Sequence, residues 1–157
     1  MFTVAITGHR KIDDEEFVCG QLQHAYGELE AVKVIQGMAD GVDLLAAREA
    51  YSESIPYMCV RPWAGHKPGI GWEIMYEAAL SHAESIVTLI DQEEFPGKLA
   101  YFDRNMWMVD NADALIAVWD GTVRSGTYHC LNYARKEGAP IWHIDPIKKT
   151  AGWLDAQ

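Results

Sequence analysis

Ser125-Gly126-Thr127 sets two hydroxyls and a glycine just ahead of an apolar helical stripe. Glycine lets a backbone approach a phosphate closely, and a helix N-terminus offers free N–H groups and the positive end of a dipole. The triplet reads as a phosphate or ribose contact, with simple helix capping by a hydroxyl as the plainer alternative. Three further stretches have related character: Thr7-Gly8-His9-Arg10, Gly37-Met38-Ala39-Asp40-Gly41-Val42-Asp43, and Asp120-Gly121. Arg10 carries a fork of donors suited to an anion, with His9 beside it, so Arg10 and the 125–127 turn are expected to hold a phosphate. Asp43 suits a ribose hydroxyl or a helix cap. Asn105 falls on an apolar stripe with Phe102, Met106 and Val109, where an unbonded amide is costly. It is expected to face the carboxyl end of a sheet and to bond either a ligand or the loop around Gly8. Trp63 and Trp119, at strand ends, are either core or stacking surfaces for a base.

Other chemistries find less support. Neither the dinucleotide GxGxxG nor the P-loop GxxxxGK[ST] is present, and Gly37 to Gly41 is only a GxxxG. The six histidines show no HExxH or comparable spacing, so no metal site and no cofactor are expected. Cys130 lies on a helical stripe and reads as core. Glu73 and Glu77, one helical turn apart, read as a solvated helix face.

These residues need a scaffold, and the apolar pattern supplies one. Strand-like runs cover Phe2 to Thr7, Val32 to Gln36, Tyr57 to Arg61, Ser85 to Asp91, Ala114 to Trp119 and Ile141 to Ile144. Between them lie stripes of helical period: Val18, Leu22, Ala25 and Leu29, then Val42, Leu45, Ala46 and Ala50, and later Thr127, Cys130, Leu131 and Ala134. Gly71 to Glu84 also reads as helix. The strands are continuously apolar, as in a parallel sheet covered on both faces. The expectation is a three-layer Rossmann-like α/β sandwich with a mostly parallel sheet of about six strands. In such sheets ligands bind at the carboxyl ends of the strands, which is where the glycine loops fall. Residues 1–146 form the expected domain, and 147–157 a loosely attached extension anchored by Trp153.

The chain has 157 residues, enough for one domain with its own core. No apolar run is long enough to cross a membrane, and nothing at the start resembles a signal peptide. Three cysteines without a CxxC suit a reducing compartment, so a cytoplasmic location is expected. Thirteen basic against 23 acidic residues leave a net charge of −10. That balance lowers the expectation of a nucleic-acid or anionic-membrane partner.

The ordered set Thr7-Gly8-His9-Arg10, Gly37 to Ala47, Arg104-Asn105, Asp110 to Gly121 and Ser125-Gly126-Thr127 resembles the YpsA-type branch of the SLOG superfamily, which also holds the DprA and LOG (lysine-decarboxylase-like) folds. The resemblance runs from Val4 to about Asp145. It implies a Rossmann-like fold whose glycine-rich loops bind nucleotides or nucleotide-derived ligands. Some members cleave the N-glycosidic bond of nucleoside monophosphates, some sense nucleotide signals in bacterial and phage conflict, and DprA relatives bind single-stranded DNA. The hydrolase signature GGxGTxxE is met here only at Gly126 and Thr127. Val123 and Arg124 replace its glycines, and Cys130 replaces its glutamate.

The expected function is therefore binding of a nucleotide or nucleotide-derived ligand, signalling nucleotides included, by Gly8, His9, Arg10, Gly37, Gly41, Asp43, Asn105, Asp120, Gly121, Ser125, Gly126 and Thr127. Nucleoside-monophosphate hydrolysis is one alternative, with Asp43 or Asp120 standing in for the missing glutamate. A protein-interaction module with a relic pocket is another. A homodimer or higher homo-oligomer is expected from the fold relatives and from the six tryptophans and seven tyrosines.

Overall fold

A computed structural model of the chain describes residues 1–155. Its central sheet has seven strands: β1 (Phe2–Gly8), β2 (Ala31–Gln36), β3 (Tyr57–Arg61), β4 (Ser85–Thr88), β5 (Ala114–Val118), β6 (Ile141–Asp145) and β7 (Thr150–Trp153). The order is β4-β3-β2-β1-β5-β6-β7, with β1 to β6 parallel and β7 antiparallel to β6. The helices between them are α1 (Glu15–Glu28), α2 (Val42–Ser52), α3 (Glu73–His82), α4 (Leu99–Asp110) and α5 (Gly126–Lys136). This is the three-layer Rossmann-like sandwich the pattern predicts.

Alternation along β1 divides the core. Val4 and Ile6 pack with Val18, Leu22, Leu45 and Tyr76 from α1, α2 and α3. Ala5 faces the other way and packs with Met108, Leu131 and Ala134 from α4 and α5. All of these side chains are buried. A strand buried on both faces has no use for polar residues, which is why β1 and β5 read as unbroken apolar runs.

The sheet differs from expectation at both edges. The fourth strand stops at Thr88, and the 89–98 stretch turns back as loop, with Ala64 N–H donating to Ile90 O and Gly65 N–H to Gln92 O. The 147–157 stretch, expected to attach loosely, contributes β7. The Asp145 carboxylate accepts from the Ile147 and Lys148 N–H groups and folds the chain back on itself. Trp153 then meets Trp142 edge-on at 5.3 Å and lies 6.2 Å from Phe2. Positions 156 and 157 lie outside the described residues.

The strand order reverses direction at β1. The chain moves from β1 to β2 on one side and returns, after β4 and α4, to β5 on the other. Loops leaving adjacent strands in opposite directions open a crevice at their carboxyl ends.

Candidate functional site

The crevice is a cleft of about 390 Å³. Four segments form its wall: Thr7 to Arg10 after β1, Ala39 and Asp43 around the start of α2, Lys98 to Asn105 along α4, and Ser125 to Thr127 at the start of α5. Of the residues singled out from sequence, Gly8, His9, Arg10, Asp43, Asn105, Ser125, Gly126 and Thr127 line it together.

The α5 terminus faces the cleft. Ser125 is extended and its hydroxyl accepts from the Tyr128 N–H at 3.1 Å, so the capping role is real. Among the described hydrogen bonds none uses the Gly126 or Thr127 N–H. Both residues line the cleft, and helix-end donors of this kind seek an anion or water.

Arg104 and Asp43 form the floor. Arg104 is 7% exposed, and its Nη1 donates to Gly37 O at 3.0 Å. Its Nη2 reaches Asn105 Oδ1 at 3.4 Å, while its buried Nε has no partner. Asp43 Oδ2 accepts from the Gly37 and Ala39 N–H groups. Burial pushes the Asp43 carboxyl up to about 6, against the opposing pull of the Arg104 guanidinium, the two N–H bonds and Arg10. Burial also lowers the Arg104 guanidinium, with Asp43 opposing. Gly37 is required by this floor. A Cβ there would stand 2.7 Å from Arg104 Cδ and Nε and 3.0 Å from Asp43 Oδ2.

Asn105, 2% exposed, donates from Nδ2 to Gly126 O at 3.2 Å and lies 3.4 Å from His129 Nδ1. It faces the carboxyl end of the sheet, but besides Arg104 its partners are in α5 and not in the loop around Gly8. The reason is packing: α4 and α5 share one face of the sheet, so the amide meets the neighbouring helix first.

Four expected residues stand behind the wall. Gly37 supports Arg104. Gly41 packs under the His9 and Arg10 carbonyls, which a Cβ would approach within 2.5 and 2.6 Å. Asp120 ties two loops: its N–H donates to His9 Nε2 at 3.1 Å and its carboxylate accepts from Thr122 N–H. Gly121 turns that loop with φ of 97°. Trp63 is buried edge-on against Phe95, Tyr101 and His66, and Trp119 donates to Thr122 O beside Tyr128. Neither tryptophan lines the cleft.

Lys98, Tyr101, Phe102 and Arg104 complete the wall and were not given site roles from sequence. The Tyr101 ring has Arg10 Cζ 5.3 Å from its centroid and Arg104 Cζ 5.5 Å away. The ring attracts both guanidiniums through its π-face. The i, i+3 spacing of Lys98, Tyr101 and Arg104 on one helical face was the available signal. Among the described residues, no group of three or more His, Cys, Asp or Glu side chains is placed to hold a metal ion. No helix among them is long and apolar enough to cross a membrane.

The sequence profile of the DNA recombination-mediator protein A family matches residues 1–153. The chain belongs to this family. The superfamily resemblance therefore holds at the level of the DprA type, and the match does not single out a YpsA-type branch. Solved structures that share the fold include two DNA processing proteins A. DNA processing protein A (DprA) from Streptococcus pneumoniae superposes with a TM-score of 0.68 at 19% identity, over 90% of this chain and 49% of its own. DNA processing protein A from Helicobacter pylori, solved for its single-stranded DNA binding mode, gives 0.68 at 19% identity, over 93% of this chain and 69% of its own. A curated relative is the uncharacterized SPbeta prophage-derived protein YoqJ of Bacillus subtilis (strain 168), 32% identical over 85 residues, 47% of this chain and 49% of that protein. The chain thus spans about half the length of that relative and of the Streptococcus pneumoniae protein.

These findings overturn the inference from net charge against a nucleic-acid partner. The sum of −10 is global. Five of the 23 acidic side chains sit on α1 and α3 (Glu15, Glu16, Glu28, Glu73, Glu77), and the cleft lining itself sets Arg10, Lys98 and Arg104 against Asp43 alone. Binding responds to the local field, not to the total.

Proposed function

We propose that the cleft binds a phosphate-bearing nucleotide unit, and that single-stranded DNA is the macromolecule that presents it. The observation that carries this reading is the convergence of the open Gly126 and Thr127 N–H groups with Arg10 and Lys98 on one cavity of nucleotide size. Membership of a family named for DNA recombination mediation supports the strand as the source of that nucleotide. A free nucleotide shares the same chemistry and is the other source to test. Hydrolysis of an N-glycosidic bond has less support. Cys130, at the position of the hydrolase glutamate, is fully buried, and burial pushes its thiol up to about 12. Asp43 is the one carboxylate among the described lining residues, and it is committed to two backbone N–H groups.

The deciding experiment is fluorescence anisotropy with a labelled oligodeoxythymidylate, beside calorimetry with a panel of nucleotides and their nucleosides. Arg10→Ala should weaken the oligonucleotide and the nucleotides far more than the nucleosides. Equal losses for nucleotide and nucleoside would refute a phosphate role for Arg10. A chain that binds neither class would instead support an interaction module with a relic pocket, and release of free base during incubation would support the hydrolase.

A further inference from the structure

Phe102 is the one phenylalanine on the cleft wall among the described residues, and it has an unusual backing. Its ring lies over the His129 ring from α5 with centroids 4.0 Å apart and planes within 22°. The two side chains are only partly buried, so the core does not dictate this arrangement. The imidazole is itself held. Asn105 Nδ2 must donate, because its other partner is the Gly126 carbonyl, and this makes His129 Nδ1 the acceptor 3.4 Å away. Burial first, and Lys136 second, lower the His129 pKa, which keeps the ring neutral and flat against its neighbour. One amide therefore fixes both the first turn of α5 and the support of Phe102. Phe102 and the first turn of α5 line the same cleft.

We infer that Phe102, backed by His129, is the shelf on which the nucleobase stacks while its phosphate sits at the N-terminus of α5. This rests on the nucleotide reading above and adds the recognition of the base. A ring already stacked from behind does not have to be ordered on binding, so its front face is available at little entropic cost. Stacking on an aromatic accepts any base, and the larger overlap of a purine favours it over a pyrimidine.

The test compares AMP with ribose 5-phosphate, which has the phosphate and sugar but no base. The native chain should bind AMP at least about tenfold more tightly. Phe102→Leu keeps the apolar volume on a partly exposed helix face and should abolish that preference while leaving ribose 5-phosphate affinity unchanged. Phe102→Tyr should restore it, and His129→Ala should weaken AMP alone. Equal binding of AMP and ribose 5-phosphate by the native chain, or equal losses for both in Phe102→Leu, would overturn the shelf and leave the phosphate site standing. Absence of binding by both ligands would remove the nucleotide reading and the shelf with it.

Discussion

Asp43 sits where two demands conflict. Its Oδ2 shapes the 37–39 turn through the Gly37 and Ala39 N–H groups, yet its burial disfavours the charged form and raises the carboxyl to about 6. In the unfolded chain the same group titrates near its ordinary value of 3.8. A carboxyl raised on folding stabilises most below the lower value, and that contribution is lost as pH rises through the upper one. The rise of roughly two units corresponds to stability on the order of 3 kcal/mol. Asn at this position can still accept from both N–H groups through its Oδ1, without a charge to desolvate. Asp43→Asn should thus match the native protein near pH 4 and melt progressively higher than it up to about pH 6, with a constant gap beyond. Thermal melts across pH 3.5 to 8 read this directly. A gap that stays flat over the whole range would mean that Asp43 titrates alike in the folded and unfolded chain. Asp43 is thus a structural support that also meets the ligand cavity, which its sequence position alone could not distinguish from a ribose contact.

At the level of elements, the site depends on how tightly α2 is docked beneath the β1 loop. A Cβ on Gly8 would stand 2.5 Å from Val42 Cβ, and the Val42 N–H donates to His9 O. Overpacking of this kind costs about 1–3 kcal/mol. Gly8→Ala should lower the urea midpoint accordingly. Val42→Ala should rescue it in part, because it removes the Cγ atoms at 2.5 and 2.6 Å but keeps Cβ at 2.5 Å, whereas Val42→Gly should rescue it more. Equal effects of the two second-site changes in a double-mutant cycle would put the strain elsewhere. This close fit explains part of what was legible beforehand. The continuous apolar runs identified β1, β2, β3, β5 and β6, and the i, i+4 stripes identified α1, α2 and α5, because both patterns are set by local burial. Glycine in the loops marked the strand ends, but not its purpose: Gly37 and Gly41 make room for Arg104 and for backbone carbonyls. Asn105 was recognisable as a bonded amide, yet its partners across the α4–α5 seam depend on a helix 21 residues away. The edge strand β7 was illegible for a similar reason. Thr150-Ala151-Gly152-Trp153 has little apolar pattern, and its pairing follows from the Asp145 turn that delivers it to β6.

For the whole molecule, the proposed binding of a polyanion has to be reconciled with a net charge of −10. Glutamates on α1 and α3 face solvent on one helical layer, while the strand ends gather Arg10, Lys98 and Arg104 around the cleft. Only part of that cationic set can exchange counterions. Arg104 is buried and bonded to Gly37 O, so it tunes the floor and does not meet free salt. Arg10 and Lys98 are exposed. Two phosphate contacts on a single strand predict that log K falls with log salt at a slope of about −1.4. Arg10→Ala should halve that slope to about −0.7, because one contact remains. Screening at the ~8 Å Debye length of physiological salt should also mute the repulsion from the distant glutamates, so affinity at that salt reflects the cleft more than the total charge. Anisotropy titrations of oligodeoxythymidylate from low to physiological salt measure both slopes. A native slope steeper than about −3 would place the strand on a basic surface larger than this cleft, and a slope near zero would remove phosphate contact from the binding altogether.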